Sequence, residues 1–191
     1  MTVSRNISDI FAADELLALA RLDVEKNQLD SALEKLKSIL GGPEPDPEAV
    51  SMAARVYAQL GLFTRSQELF RRFLVAHPGA VNEQFQLAMT HMNNSEPAEA
   101  EGFFNAILAS TPTHPPALFY CALLLSQQGK TMDAKRSLDI LLQSAPADNL
   151  YAGRGKELRD AIDAGLQASF EEEQREGGAL GQPKTPGDTY Q

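Results

Sequence analysis

The sequence predicts an all-α protein, a solenoid of antiparallel helix pairs, and three observations carry that prediction. Proline recurs at Pro78, Pro112 and Pro146, each 34 residues after the last. Other columns keep their chemistry at the same offset: Ala54, Ala88 and Ala122; Ser66, Ala100 and Ala134; Phe70, Phe104 and Leu138; Phe73, Ile107 and Leu141. Within each unit the apolar residues fall three and four apart, the spacing of a helix face. Self-similarity at a fixed period of this size marks a stack of helical repeats.

The motifs inside the period resemble those of the tetratricopeptide repeat family. Leu60-Gly61 with Tyr57, then Phe70, Phe73 and Pro78, follow the family order, and Ala100-x-x-x-Phe104 repeats its second half. The chain departs from the family in having no Trp, in Ser66 for one Ala and in His91 for one Tyr. The resemblance implies a right-handed superhelix of about four repeats, closed by a C-terminal capping helix, whose first helices line a concave groove.

In chain order, residues 1–7 read as a flexible N-terminus, and four helix pairs fill residues 8–148, with repeats at 13–46, 47–80, 81–114 and 115–148. Ser8 or Asp9 is placed to cap the first helix, which runs to about Lys26. Ala32, Leu36 and Ile39 form the stripe of the second helix, in phase with the later columns. Its exit, Gly41-Gly42-Pro43-Glu44-Pro45-Asp46-Pro47, is rigid and non-helical. In the third repeat Asn94-Ser95 replaces the turn glycine, with Asn94 expected to take the left-handed conformation. Leu158, Ile162, Leu166 and Phe170 recur every four residues and predict a capping helix over 149–176. The remainder, 177–191, has little to bury and is expected to be disordered. Small residues at the eighth and twentieth positions let paired helices approach, and bulky ones at the twenty-fourth and twenty-seventh fill the space towards the next pair.

Charge and composition narrow the function. With 26 acidic against 17 basic residues the formal net charge is −9, which repels a phosphate backbone, so no nucleic-acid partner is expected. The opening residues lack the apolar core of a secretion signal and no run suits a membrane helix, which together predict a cytoplasmic protein without membrane insertion. One cysteine, Cys121, fits a reducing compartment.

Chemical sites are not expected. Gln128-Gly129-Lys130-Thr131 imitates the end of a phosphate-binding loop, but Leu124 stands where that loop needs glycine, so it reads as a turn between helices. His91 and Cys121 make a nucleophile pair on paper, yet nothing supplies an orienting acid or an oxyanion site. His77, His91, His114 and Cys121 show no metal spacing. No cofactor and no enzymatic activity are predicted. Glu171-Glu172-Glu173 reads as a solubilising stretch of the last helix.

In the family, the second, fifth, ninth, twelfth and thirteenth positions of each first helix look into the groove. Carried onto this chain, the resemblance assigns partner binding to Leu17, Arg21, Arg55, Phe85, Met89, Met92, Phe119 and Leu123. Two arginines stand at one end, suited to a carboxylate, and an apolar patch at the other. The Lys/Asn clamp of chaperone-binding relatives is absent, because Leu17 and Arg21 hold its positions. The expected function is an adaptor that binds a segment of another protein with apolar anchors and an acidic group. Two alternatives are a secretion-type chaperone for an exported client and a scaffold that assembles with copies of itself.

Overall fold

A computed structural model describes residues 10–179, in which the chain forms nine helices and no strand. The helices are α1 (Ala13–Glu25), α2 (Leu29–Leu40), α3 (Pro47–Gln59), α4 (Phe63–Ala76), α5 (Val81–Asn93), α6 (Pro97–Ser110), α7 (Pro115–Gln127), α8 (Thr131–Ser144) and α9 (Leu150–Ala179). First helices begin at Ala13, Pro47, Val81 and Pro115, and second helices at Leu29, Phe63, Pro97 and Thr131, so both series advance by 34 residues. The flexible segment expected over 1–7 and the cap at Ser8 or Asp9 lie outside the described residues. Within them α1 starts at Ala13, after Ala12, whose N–H donates to the Glu15 carboxylate at 2.9 Å. Of the tail expected to be disordered over 177–191, the first three residues belong to α9 and the rest lie outside. No helix among the described residues is long and apolar enough to cross a membrane.

One turn closes every pair. Asn27, Gly61, Ser95 and Gly129 have φ of 57°, 73°, 61° and 74°, and each sits fifteenth in its repeat. The following N–H reaches back to the eleventh residue's carbonyl in all four: Gln28 to Asp23 (2.7 Å), Leu62 to Tyr57, Glu96 to His91 and Lys130 to Leu125 (each 2.9 Å). This is the hydrogen bond of a Schellman cap, which needs a left-handed residue just past the helix. The expectation for Asn94 is corrected: its φ is −86°, Ser95 takes the left-handed conformation, and the Asn94 side chain donates to Glu96 Oε1 at 2.6 Å.

The second helices end with another repeated bond. The N–H groups of His77, Thr111 and Ala145 donate to the carbonyls of Phe73, Ile107 and Leu141. The equivalent residue of the first pair is Pro43, which has no N–H to donate. Accordingly α2 has 12 residues where α4, α6 and α8 have 14.

The contacts divide the chain into two compact units, one up to Ala117 and one from Leu118. In the first, α1 packs on α2, α3 on α4 and α5 on α6, while α2 meets α3 and α4 meets α5. Its small columns are sealed: Ala20, Ala54 and Ala88, like Ala32, Ser66 and Ala100, are fully buried, with Leu36, Phe70 and Phe104 beside them. Asp46 caps α3 by accepting the N–H of Glu48 at 2.7 Å, with Pro47 at the first helical position. In the second unit α8 packs on α9, and the same columns supply the fully buried Ala122, Ala134, Leu138 and Leu141. Gly155 of α9 lies so close that an added Cβ would stand 2.7 Å from Leu141 Cδ2. Arg159 of α9 pairs with Asp139 of α8 at 2.5 Å, and Lys135 pairs with Asp163.

Candidate interaction groove

The first helices of the first unit carry the candidate site. Between α1 and α3 lies an open pocket of about 240 Å³ lined by Arg21, Val24, Glu25, Met52, Arg55, Val56 and Gln59. Arg21, Val24, Glu25, Arg55 and Gln59 stand at the ninth, twelfth and thirteenth positions, those that the resemblance turns inward. Of the seven lining residues the sequence reading assigned partner binding only to Arg21 and Arg55; Met52 and Val56, at the sixth and tenth, also lie outside the inward positions. Both are buried members of the core around α1 and α3, and they form an apolar wall below the polar rim. The signal for them was the neighbouring face of the same helix, one residue past each assigned position.

The two arginines differ in state. Arg21 donates from Nε to Glu48 Oε1 at 2.8 Å and from Nη2 to Glu48 Oε2 at 2.5 Å, a two-pronged pair joining α1 to the start of α3. Both side chains are about half exposed, at 47% and 49%, so the pair adds little to stability. It does occupy the guanidinium that the sequence assigned to a partner's carboxylate. Arg55 is exposed and makes no hydrogen bond or ion pair among the described residues.

The apolar positions are less open than an exposed patch would be. Leu17 is 6% exposed and belongs to the core, showing only an edge to a wider cleft lined also by Asp14, Pro43, Glu44 and Asp46. Phe85 is half-buried, its ring 5.8 Å from Phe104 and 5.9 Å from His114. Met89 and Met92 are half-buried on α5. In the second unit Phe119 is half-buried in an aromatic cluster, 5.3 Å from Tyr120 and 5.8 Å from Tyr151, and Leu123 is half-buried. Burial raises the Tyr120 phenol above its ordinary pKa, with the Tyr151 hydroxyl adding to the shift.

His91 is explained by packing. It is 1% exposed, stacked on Phe103 at 5.5 Å, with Nδ1 2.6 Å from Glu96 Oε2 and Nε2 3.2 Å from Arg71 Nη2. Cys121 is buried in the second unit. Gln128 to Thr131 form the closing turn of α7 and α8, with Gly129 as its left-handed residue. Among the described residues no group of three or more His, Cys, Asp or Glu is placed to hold a metal ion.

A stack of helix pairs with a groove along its first helices defines a class, the helical-repeat interaction scaffold. The chain belongs to the tetratricopeptide repeat family, whose model matches residues 17–79 and 51–115, together just over half of its length. Among curated proteins it is similar to trafficking protein particle complex subunit 12 of mouse and human, 27% identical over 115 residues. That match covers 57% of this chain but only 14% of the mouse protein and 16% of the human one. Among solved structures it is similar in fold to a tetratricopeptide repeat protein from Parabacteroides merdae, with TM-score 0.71, 20% identity and coverage of 85% of this chain and 63% of that one. It is also similar to MamA from Desulfovibrio magneticus, with TM-score 0.67, 15% identity and coverage of 85% and 96%.

Proposed function

We propose that the chain is a non-enzymatic adaptor that holds a segment of another protein in the groove of α1, α3 and α5. Arg55 takes a carboxylate of that segment. Val24, Met52 and Val56 receive an apolar side chain next to it. Met89 and Met92 extend the apolar strip along α5, and Phe119 and Leu123 stand at the corresponding positions of α7. Leu17, Arg21 and Phe85 act from behind: Leu17 and Phe85 set the helix spacing and Arg21 holds α3 through Glu48.

The observation that carries this reading is Arg55, a guanidinium with no hydrogen bond or ion pair among the described residues, at the rim of an apolar-walled pocket. A planar fork of donors matches a carboxylate in two-pronged geometry, and an adjoining apolar wall is how helical grooves select a side chain. The mouse and human relatives are subunits of a protein complex by name, and membership of an assembly is what such a groove would serve.

The test is affinity retention from host lysate by the wild-type chain beside Arg55→Glu, both confirmed as folded by circular dichroism, with retained proteins identified by mass spectrometry. A protein held by the wild type and lost from Arg55→Glu supports the reading. Identical sets from both would move binding away from this groove.

A further inference from the structure

The outer face of α1 has the make-up of an interior one. In α3 the third, seventh and tenth positions hold Ala49, Ala53 and Val56, which share one core with Leu36 and Ile39 of α2. In α5 the seventh and tenth hold Leu87 and Thr90, both buried, and α4 packs against that helix. The same columns of α1 are Glu15, Leu19 and Leu22, and they are uncovered: Leu22 is 47% exposed where Val56 is 1% exposed, Leu19 is half-buried and Glu15 is exposed. Ile10, Phe11 and Ala18, all exposed, widen the patch. Asp14, Arg21 and Glu25 turn instead to the clefts described above, so the stripe occupies a face of its own. The end of a helical stack ordinarily turns a polar face outward, and a contiguous apolar patch there marks an interaction site.

We infer that this face of α1 docks on the same face of a second copy, with the two helices antiparallel, to form a two-fold dimer. Charge selects both the partner and the direction. Glu15 and Lys26 flank the two leucines on the same stripe, are exposed, and make no ion pair among the described residues. Glu15 accepts the Ala12 N–H through Oε2, and Lys26 stands near Asp23, whose carboxylate Lys35 already holds at 2.5 Å. The antiparallel register that sets Leu19 opposite Leu22 of the second copy also sets Glu15 opposite its Lys26. Two-fold symmetry makes each of these contacts twice. A parallel register would instead oppose Glu15 to Glu15 and Lys26 to Lys26. The stripe is long enough: Glu15 and Lys26 are about 16 Å apart at a helical rise of ~1.5 Å per residue, just over three turns, which keeps them on one face. Leucines at the centre with opposite charges at the rim are the arrangement of a specific helix contact. The contact is isologous, so it closes at two copies.

Sedimentation equilibrium of the full chain over a range of concentrations tests this. The expected mass rises with concentration and levels off at two copies. Leu22→Glu changes an exposed side chain, so it should keep the helical spectrum and remain monomeric. Glu15→Lys alone and Lys26→Glu alone each set two like-charged pairs in the contact, and each should be monomeric where the wild type pairs. Mixed in equal amounts they should recover the dimer, because every facing pair is again of opposite charge. The double variant Glu15→Lys, Lys26→Glu should recover it within one chain. If Glu15→Lys loses helix along with its bond to Ala12, Leu22→Glu and Lys26→Glu decide the matter. A wild type that stays monomeric throughout overturns the inference and leaves the face to residues 1–9 or to a different protein. Association that survives Leu22→Glu, or that grows beyond two copies, overturns it as well. Neither result bears on the groove reading, which stands or falls with Arg55.

Discussion

His91 Nδ1 lies 2.6 Å from Glu96 Oε2, joining the end of α5 to the residue that precedes α6. The eleventh position of the preceding repeat holds Tyr57, buried in the first core, and that of the first repeat holds Asp23, paired with Lys35 at 2.5 Å. His91 solves the same packing problem with polar chemistry. Its Nδ1–H donates to Glu96, Nε2 accepts from Arg71 Nη2 at 3.2 Å, and Gln67 Nε2 donates to the same Glu96 oxygen at 2.7 Å. Both ring nitrogens are thus used, in the tautomer with its proton on Nδ1.

Replacing His91 should therefore cost more than its volume. His91→Ala leaves a cavity against Phe103 and strips a partner from both Glu96 and Arg71, so a loss of about 2–4 kcal/mol is expected. His91→Tyr restores the family's residue yet cannot accept from Arg71 as the imidazole does, so it too should destabilise. Urea titration of the three chains checks this; a His91→Tyr variant as stable as the wild type would count against the network.

Acid should unfold the first unit through Glu96. The hydrogen bond from His91 first, then those from Gln67 and Asn94, hold its carboxyl below the usual carboxylate value. A group whose pKa is lower folded than unfolded contributes stability above the unfolded value, lost as pH falls through the folded one. The melting temperature should thus drop below about pH 4.5, the ordinary value for Glu, and Glu96→Gln should flatten that limb. Asp23, lowered chiefly by its hydrogen bond from Lys35, leaves a smaller slope in the variant.

His114 carries a second acid response at higher pH. Its Nδ1 accepts the N–H of Ala117 at 3.2 Å, capping the start of α7, and burial lowers its pKa from the ordinary 6.5. Protonation removes the acceptor and places a cation at a helix N-terminus, where the macrodipole opposes it. The stability it provides is present above pH 6.5 and lost as pH falls through the folded value. Proton NMR should find His114 titrating below a model imidazole, with Ala117 amide exchange rising in parallel; a value at or above the model would defeat the prediction.

The parts of the fold that were legible in the sequence are those the 34-residue period repeats. The helix pairs, the sealed alanine column and the bulky column at Leu36, Phe70, Phe104 and Leu138 all follow from local spacing. What the sequence hid depends on neighbours distant along the chain. Arg21 looked free because Glu48 is 27 residues away, and His91 looked anomalous because Arg71 lies 20 residues upstream on another helix. Asn94 was a sound choice for a left-handed residue by type, but the shared turn fixes that conformation one position later, at Ser95. The groove was legible only as register. Which of its side chains are spent on the chain's own contacts is a tertiary property.

Small residues at close approaches should resist enlargement. Ala88→Leu, at a fully buried site, should cost roughly 1–3 kcal/mol by overpacking. In α9, Gly155→Ala forces its Cβ against Leu141, while Gly165→Ala meets nothing within 4 Å. A free helical Gly→Ala gains up to about 1 kcal/mol, so Gly165→Ala should stabilise and Gly155→Ala should not. Equal melting temperatures for the two variants would refute the close packing of α9 on α8.

The four left-handed turns make the last prediction, because the same backbone is built with three residue types. Gly61 and Gly129 occupy φ of 73° and 74° without steric cost, Asn27 tolerates 57°, and Ser95 at 61° is strained. Ser95→Gly relieves about 1–2 kcal/mol of left-handed cost and gives back part of it, about 0.4–1 kcal/mol, to the greater freedom of the unfolded chain. A net gain of up to about 1.5 kcal/mol is expected, with a smaller gain for Asn27→Gly. Gly61→Ala and Gly129→Ala should each lose stability, although open space surrounds both sites, because the penalty lies in the backbone. Denaturant midpoints of the four variants check the order. A stable Gly61→Ala would show that the turn between α3 and α4 does not require the left-handed residue.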